Sequence, residues 1–61
     1  MTISEARKRL KIRETDPINK DRMRIARAIA MESSCILDIS DAYREMLKKD
    51  VEAYNVLLKE G

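Results

Sequence analysis

The chain has 61 residues, of which 39% are charged, and a formal net charge of +2. It contains one cysteine, no histidine and one glycine, which excludes a disulfide framework, Cys/His zinc sites and a glycine-rich phosphate loop. A domain of this length buries only about 60% of its unfolded surface, so we expect one small domain over residues 1–61 that forms a homodimer.

Features that the sequence lacks limit the cellular compartment and the kinds of functional site that we expect. No apolar run approaches the ~20 residues of a membrane span, and the N-terminal residues are too polar for a secretory signal. An unpaired cysteine, Cys35, is typical of a reducing compartment, so we predict a cytoplasmic protein. Cys35 has no histidine or other evident base to activate it, so we do not expect an enzyme. Nothing implies a cofactor, a metal, a small-molecule ligand or a membrane partner.

The charge is distributed unevenly along the chain. Residues 1–27 contain nine Lys and Arg against four acids, a net charge of +5, whereas residues 28–61 contain four against seven, a net charge of −3. This asymmetry predicts that the first half contacts an anionic partner, either double-stranded DNA or an acidic protein surface. The simpler interpretation is that these charges are solvated and bind no partner, since small helical proteins often carry uneven charge.

The N-terminal segment can be interpreted as a helix over residues 3–13. Thr2 and Glu5 match a capping box, in which the two side chains satisfy free backbone N–H groups at a helix start. Ala, Arg, Lys and Leu are good helix formers. Leu10 lies on the same helical face as Ile3, but Ile12 does not.

The same segment can be interpreted as an arm over residues 1–8 followed by a strand over residues 9–14. A period of two places Leu10 and Ile12 on one side of that strand and the intervening cations on the other. A lone two-stranded ribbon is weak in water, so this strand would have to pair with a second copy and pack on helices.

A first long helix is predicted over residues 17–32. Thr15 or Asp16 can cap it, and Pro17 suits the first helical position because its missing N–H would be unpaired there. Ile25 and Ile29 continue its apolar stripe at helical spacing.

A second long helix is predicted over residues 35–59. Ser33 and Ser34 are poor in a helix interior and good as caps, so we place a break there, with Ser34 or Cys35 capping the next helix. A single coiled-coil helix over residues 17–60 is a third possibility. The side chains expected in the core or the dimer interface are Leu10, Ile12, Ile25, Ile29, Ile36, Ile39, Tyr43, Met46, Leu47 and Tyr54.

A basic alternating stretch, a capped helix, a polar break and a second amphipathic helix resemble the ribbon-helix-helix family of dimeric DNA-binding regulators. The most suggestive part is SSCILDISDAYREML, residues 33–47, which is similar to the family's inter-helix turn and second helix. The chain departs from the family pattern by lacking a glycine in that turn. The resemblance implies a mainly α fold, with a short N-terminal strand and two helices in an intertwined dimer.

The resemblance also implies a DNA-binding transcriptional regulator. Arg9, Lys11 and Arg13 would face bases and phosphates in the major groove, where Arg and Lys commonly contact guanine. Ser33 and Ser34 would present the N-terminus of the second helix to a phosphate.

The alternative is an all-α helical hairpin or bundle dimer in which residues 3–13 are helical. Such a protein would be an interaction module that binds or inhibits a larger protein through an acidic surface of that partner. A helical dimer that binds RNA is a third hypothesis. The state of residues 9–13, strand or helix, discriminates the first two.

Overall fold

The computed structural model describes residues 1–59, which form three α-helices and no strand. Helix α1 spans Ile3–Arg9, α2 spans Lys20–Ser34 and α3 spans Asp41–Lys59. Both α1 and α2 pack on α3. None of the three helices combines the length and the apolar character needed to cross a membrane.

The predicted N-terminal strand, and with it the ribbon-helix-helix fold, is wrong. Residues 3–9 are helical, and the expected capping box is present: Thr2 Oγ1 accepts from the Glu5 backbone N–H at 3.2 Å and donates to Glu5 Oε1 at 3.1 Å. The all-helical alternative agrees with the structure, although α1 ends at Arg9 and does not continue to residue 13.

The end of α1 explains why Leu10 and Ile12 both point inward without forming a strand. The Ile12 N–H bonds to the Arg7 carbonyl at 2.9 Å and the Lys11 N–H to the Lys8 carbonyl at 3.2 Å. This is the Schellman pattern of helix termination, in which the residue after the cap takes a left-handed conformation. Lys11 is that residue, with φ of 59°. The turn brings Ile12 back against the core.

We expect Lys11→Gly to raise the free energy of unfolding by about 0.5–1 kcal/mol. The left-handed conformation costs a residue with a Cβ about 1–2 kcal/mol, and glycine avoids most of this cost but loses more entropy on folding. Lys11→Val should destabilise the fold, because branching at Cβ is poorly tolerated at positive φ. Urea denaturation of both variants checks this prediction, and a stability order with valine above glycine would contradict it.

Helix α2 starts three residues later than predicted. Asn19, and neither Thr15 nor Asp16, is its N-cap, since the Asn19 side chain accepts from the Arg22 N–H at 3.1 Å. Pro17 therefore lies in the connection before the helix.

The predicted break at Ser33–Ser34 is displaced as well. Both serines are the last residues of α2, and Cys35 is its C-cap. The Ser34 hydroxyl donates to the Met31 carbonyl at 2.7 Å. Helix α3 begins at Asp41, where Ser40 Oγ accepts from the Tyr43 N–H at 3.2 Å.

Helices α2 and α3 form an antiparallel hairpin. Arg44, near the start of α3, donates through Nε to the carbonyl of Ser34 at the end of α2 at 3.2 Å. Arg27 in the middle of α2 donates to Asn55 Oδ1 near the end of α3 at 2.7 Å. These two contacts fix the register of the hairpin.

The core is small. Ala6, Ala53 and Leu57 are fully buried where α1 meets α3. Within residues 1–59, Ala30 on α2 is the one further buried residue. The half-buried side chains packed against the cluster are Leu10, Ile12, Ile18, Met23 and Val56.

Several side chains predicted for the core or the dimer interface are exposed in the single chain. They are Ile25, Ile29, Ile36, Tyr43 and Met46. Ile39, Leu47 and Tyr54 are half-buried. The accessible surface is 4716 Å², whereas a compact monomer of this mass exposes about 4,100 Å². The exposed apolar side chains show that a single copy leaves part of the predicted core uncovered.

Candidate functional site

A groove of about 480 Å³ opens between the end of α1, the connection that follows it and the first turns of α2. Tyr54 of α3 closes one side. The volume lies within the range of small ligand sites, about 300–1,000 Å³. The apolar lining comprises Leu10, Ile12, Pro17, Ile18, Met23, Ala26 and Tyr54.

Hydrogen bonds to α1 hold the connection that forms one wall of the groove. The Arg7 guanidinium donates to the carbonyls of Arg13 and Asp16, the latter at 3.0 Å. The Asp16 N–H also bonds to the Arg13 carbonyl at 3.0 Å, and Ser4 Oγ donates to Glu14 Oε1 at 3.2 Å. These bonds hold the backbone of the connection between α1 and α2 in one conformation, although it has no regular secondary structure. The wall of the groove is therefore in place before a ligand binds.

The groove lining includes two cationic side chains. Lys11 and Arg22 line the groove and are exposed, and neither makes an ion pair within residues 1–59. Among the described residues, Asp16 is the one acidic member of the lining. A lining of apolar side chains interspersed with two cations suits a ligand that combines an apolar group with negative charge.

Tyr54 has a perturbed environment. Burial raises the pKa of its hydroxyl above the ordinary value of 10.0, and the nearby Asp50 carboxylate raises it further. Both effects disfavour the phenolate, because it would be poorly solvated and close to a like charge. The raised pKa extends the range over which Tyr54 stays neutral to more alkaline pH.

We expect this shift to weaken the fold in alkaline solution. A folded-state pKa above the unfolded value of 10.0 means that the contribution of Tyr54 is fully present below pH 10 and is lost as the pH rises through the folded pKa. Phenolate absorbance in a Tyr43→Phe background, which leaves only Tyr54 to titrate, should show a midpoint above 10. A midpoint at or below 10 would contradict the burial of this hydroxyl.

The three cations assigned to DNA contact do not share a face. Arg9 Nε lies 2.8 Å from Asp50 Oδ1, an ion pair without the alignment of a hydrogen bond, and its NH2 group donates to the Met46 carbonyl at 2.9 Å. Arg9 thus fastens α1 to α3. Lys11 is at the helix cap and Arg13 is exposed in the connection. Because no strand is present in residues 1–59, the alternation that was predicted to aim these side chains at bases is absent.

Ser33 and Ser34 also occupy a different place from the one predicted. They end α2, where carbonyl groups and the negative end of the helix dipole are exposed, and so they do not offer free N–H groups to a phosphate. The Ser34 carbonyl accepts from Arg44. The predicted phosphate contact at this position has no structural basis.

The sequence interpretation missed the groove itself. The sequence feature that could have indicated the groove is the pair Leu10 and Ile12. Both side chains need apolar neighbours, whether the segment is a strand or a helix. Ile18 and Tyr54 complete the lining, but they are distant along the chain and come together only through the packing of α1 and α2 on α3. No local sequence pattern predicts that Ile18 and Tyr54 lie close together.

Comparisons with known proteins returned no match. No family model, no curated protein and no solved structure is similar to this chain at a significant level. The function is therefore inferred from the side chains of the chain alone.

Proposed function

We propose that this protein is a small helical interaction module that binds an acidic, amphipathic segment of a larger protein. One apolar side chain of that segment would fill the groove between α1 and α2, and its carboxylates would lie beside Lys11 and Arg22. Helix-in-groove recognition of this kind is common, with an apolar face providing affinity and flanking charges providing orientation.

The observation that carries the proposal is the composition of the groove. Its lining combines apolar and polar surface in about equal measure, its two exposed cations make no ion pair within residues 1–59, and hydrogen bonds from Arg7 hold its wall. The net charge of +5 over residues 1–27 would also attract an acidic partner over a longer range. The unpaired Cys35 favours a partner in the cytoplasm.

A protein partner accounts for this surface better than a nucleic acid. A duplex offers phosphates to the cations but few apolar groups to the lining. Several arginines of the basic half are engaged within the fold, since Arg7 holds the connection, Arg9 pairs with Asp50 and Arg27 bonds to Asn55. Fewer cations then remain for phosphates than the sequence suggests.

A titration with a synthetic peptide tests the proposal. The probe is a short helical peptide of glutamates with leucine at every third or fourth position, and its twin carries lysine in place of glutamate. NMR spectra of the labelled protein should show shifts at Leu10, Ile18 and Tyr54 with the acidic peptide and none with the basic twin. Lys11→Glu should weaken binding by about tenfold, because an attractive contact becomes repulsive.

Lys49→Glu is the matched control. Lys49 is an exposed lysine of α3 that does not line the groove, so the same change in net charge should weaken binding much less. Equal losses in the two variants would mean non-specific attraction and would refute the groove as the site. Shifts confined to other surfaces would do the same.

A further inference from the structure

Helix α2 carries two exposed isoleucines, Ile25 and Ile29, that belong neither to its contact with α3 nor to the groove. Ile25 and Ile29 are 64% and 60% exposed, although isoleucine is among the residues most often buried. The side of α2 that faces α3 is formed by Met23, Arg27 and Ala30 instead. The two isoleucines are neighbours on one face, one helical turn apart.

A charged residue stands at each end of this pair. Arg22 precedes Ile25 by three residues and Glu32 follows Ile29 by three, and both are exposed. Neither makes an ion pair within residues 1–59. Each residue of an α-helix advances by about 100°, so the spacing of three, four and three keeps all four side chains within about 80° of the circumference. We call these four residues the α2 face.

The α2 face is complementary to itself in one orientation. Arg22 and Glu32 are centred on position 27, and Ile25 and Ile29 have the same centre. A two-fold axis at that level would place each Ile25 against the Ile29 of a second copy running in the opposite direction. It would also place each Arg22 against the opposite Glu32, because both charges lie about 7.5 Å along the helix from the axis.

We propose that α2 pairs with the α2 of a second copy in an antiparallel, two-fold symmetric dimer through the α2 face. Four isoleucines form the centre, and two Arg22–Glu32 ion pairs between the copies set the register, as charged flanking positions do in coiled coils. A parallel pair would oppose Arg22 to Arg22 and Glu32 to Glu32, which disfavours that orientation.

The chain exposes more surface than a compact monomer of its mass. The accessible surface of 4716 Å² exceeds the value for a compact monomer of this mass by about 600 Å². Standard protein interfaces bury about 800 Å² per partner. Ile25, Ile29 and Glu32 do not line the groove, so the apolar centre of the dimer is separate from the proposed groove function. Arg22 belongs to both surfaces, and in the dimer it pairs with the opposite Glu32, which leaves Lys11 as the free cation of the groove.

Charge exchange at the ends of the α2 face tests the proposal. Analytical ultracentrifugation of the full chain over the micromolar range should give twice the monomer mass of 7.1 kDa. Arg22→Glu alone and Glu32→Arg alone each create two like-charged pairs and should weaken the dimer by about tenfold or more. The double variant Arg22→Glu/Glu32→Arg should restore it, and so should mixing the two single variants.

The double variant separates the orientations. In an antiparallel dimer it re-forms both ion pairs, whereas in a parallel dimer it opposes like charges and gives no rescue. A wild-type monomer throughout the range, a dimer unaffected by both single changes, or a double variant without rescue would each overturn the proposal. Circular dichroism of each variant controls for folding, and all changed side chains are exposed.

Discussion

Leu57→Ala is expected to unfold most of the protein at room temperature. Leu57 is the largest fully buried side chain of the described chain and is in the cluster that joins α1 to α3. Truncation of a buried leucine costs about 2–5 kcal/mol through lost burial and the cavity left behind. A core of this size rarely supplies more than about 3–5 kcal/mol, so little net stability would remain. Loss of the far-ultraviolet helical signal measures the effect.

Leu37→Ala is the matched control, because the same substitution removes the same atoms from a side chain that is 90% exposed. Its free energy of unfolding should stay within about 0.5 kcal/mol of the wild-type value. Both variants must be compared at one protein concentration, since association would make stability depend on concentration. A Leu57→Ala protein that retains a cooperative transition with a loss below 1 kcal/mol would contradict the core described above.

Arg44→Lys should destabilise the hairpin by about 1–2 kcal/mol despite conserving the charge. The Arg44 guanidinium donates from Nε to the Ser34 carbonyl at 3.2 Å and from NH2 to the Ile36 carbonyl at 3.0 Å. It thereby satisfies carbonyls at and beyond the end of α2 and closes the connection to α3. A lysine has no planar fork and cannot reproduce both bonds at once. Urea denaturation measures the loss.

Arg24→Lys tests whether the geometry of Arg44, and not arginine in general, accounts for that loss. Arg24 NH1 lies 2.8 Å from Asp21 Oδ1, but both side chains are largely exposed. An exposed pair within one helix contributes little, so this change should alter stability by less than about 0.5 kcal/mol. Losses of equal size at the two positions would remove the special role assigned to Arg44.

The helices could be predicted from local sequence, but their ends could not. Thr2 and Glu5 marked the start of α1, and apolar spacing indicated two further helices. Asn19 caps α2 where Thr15 or Asp16 was predicted, and Ser40 caps α3 where Ser34 or Cys35 was predicted. Asp, Asn and Ser all cap helices well. The choice depends on packing, since Ile18 and Met23 must reach the cluster around Leu57.

The N-terminal segment was the decisive ambiguity. Alternation of Leu10 and Ile12 fits a strand, and it also fits a helix end followed by a left-handed residue. Lys11 gave no warning of that conformation, because glycine usually occupies it. The resemblance to ribbon-helix-helix proteins depended on the strand. The predicted fold was therefore wrong in the segment for which the alternation of Leu10 and Ile12 had favoured a strand over a helix. The groove followed from this turn and could not have been found without it.

The conformation of residues 3–13 in solution tests the central claim most directly, because the cap at Leu10 and Lys11 forms one wall of the proposed binding groove. Backbone chemical shifts and nuclear Overhauser effects of the full chain would report it. We predict helical shifts for Ile3–Arg9, a strong intraresidue contact at Lys11 that marks positive φ, and side-chain contacts between Ile12 and the cluster of Ala6, Ala53 and Leu57. Extended shifts over residues 9–13, with cross-strand contacts between two copies, would contradict the groove and the function proposed for it.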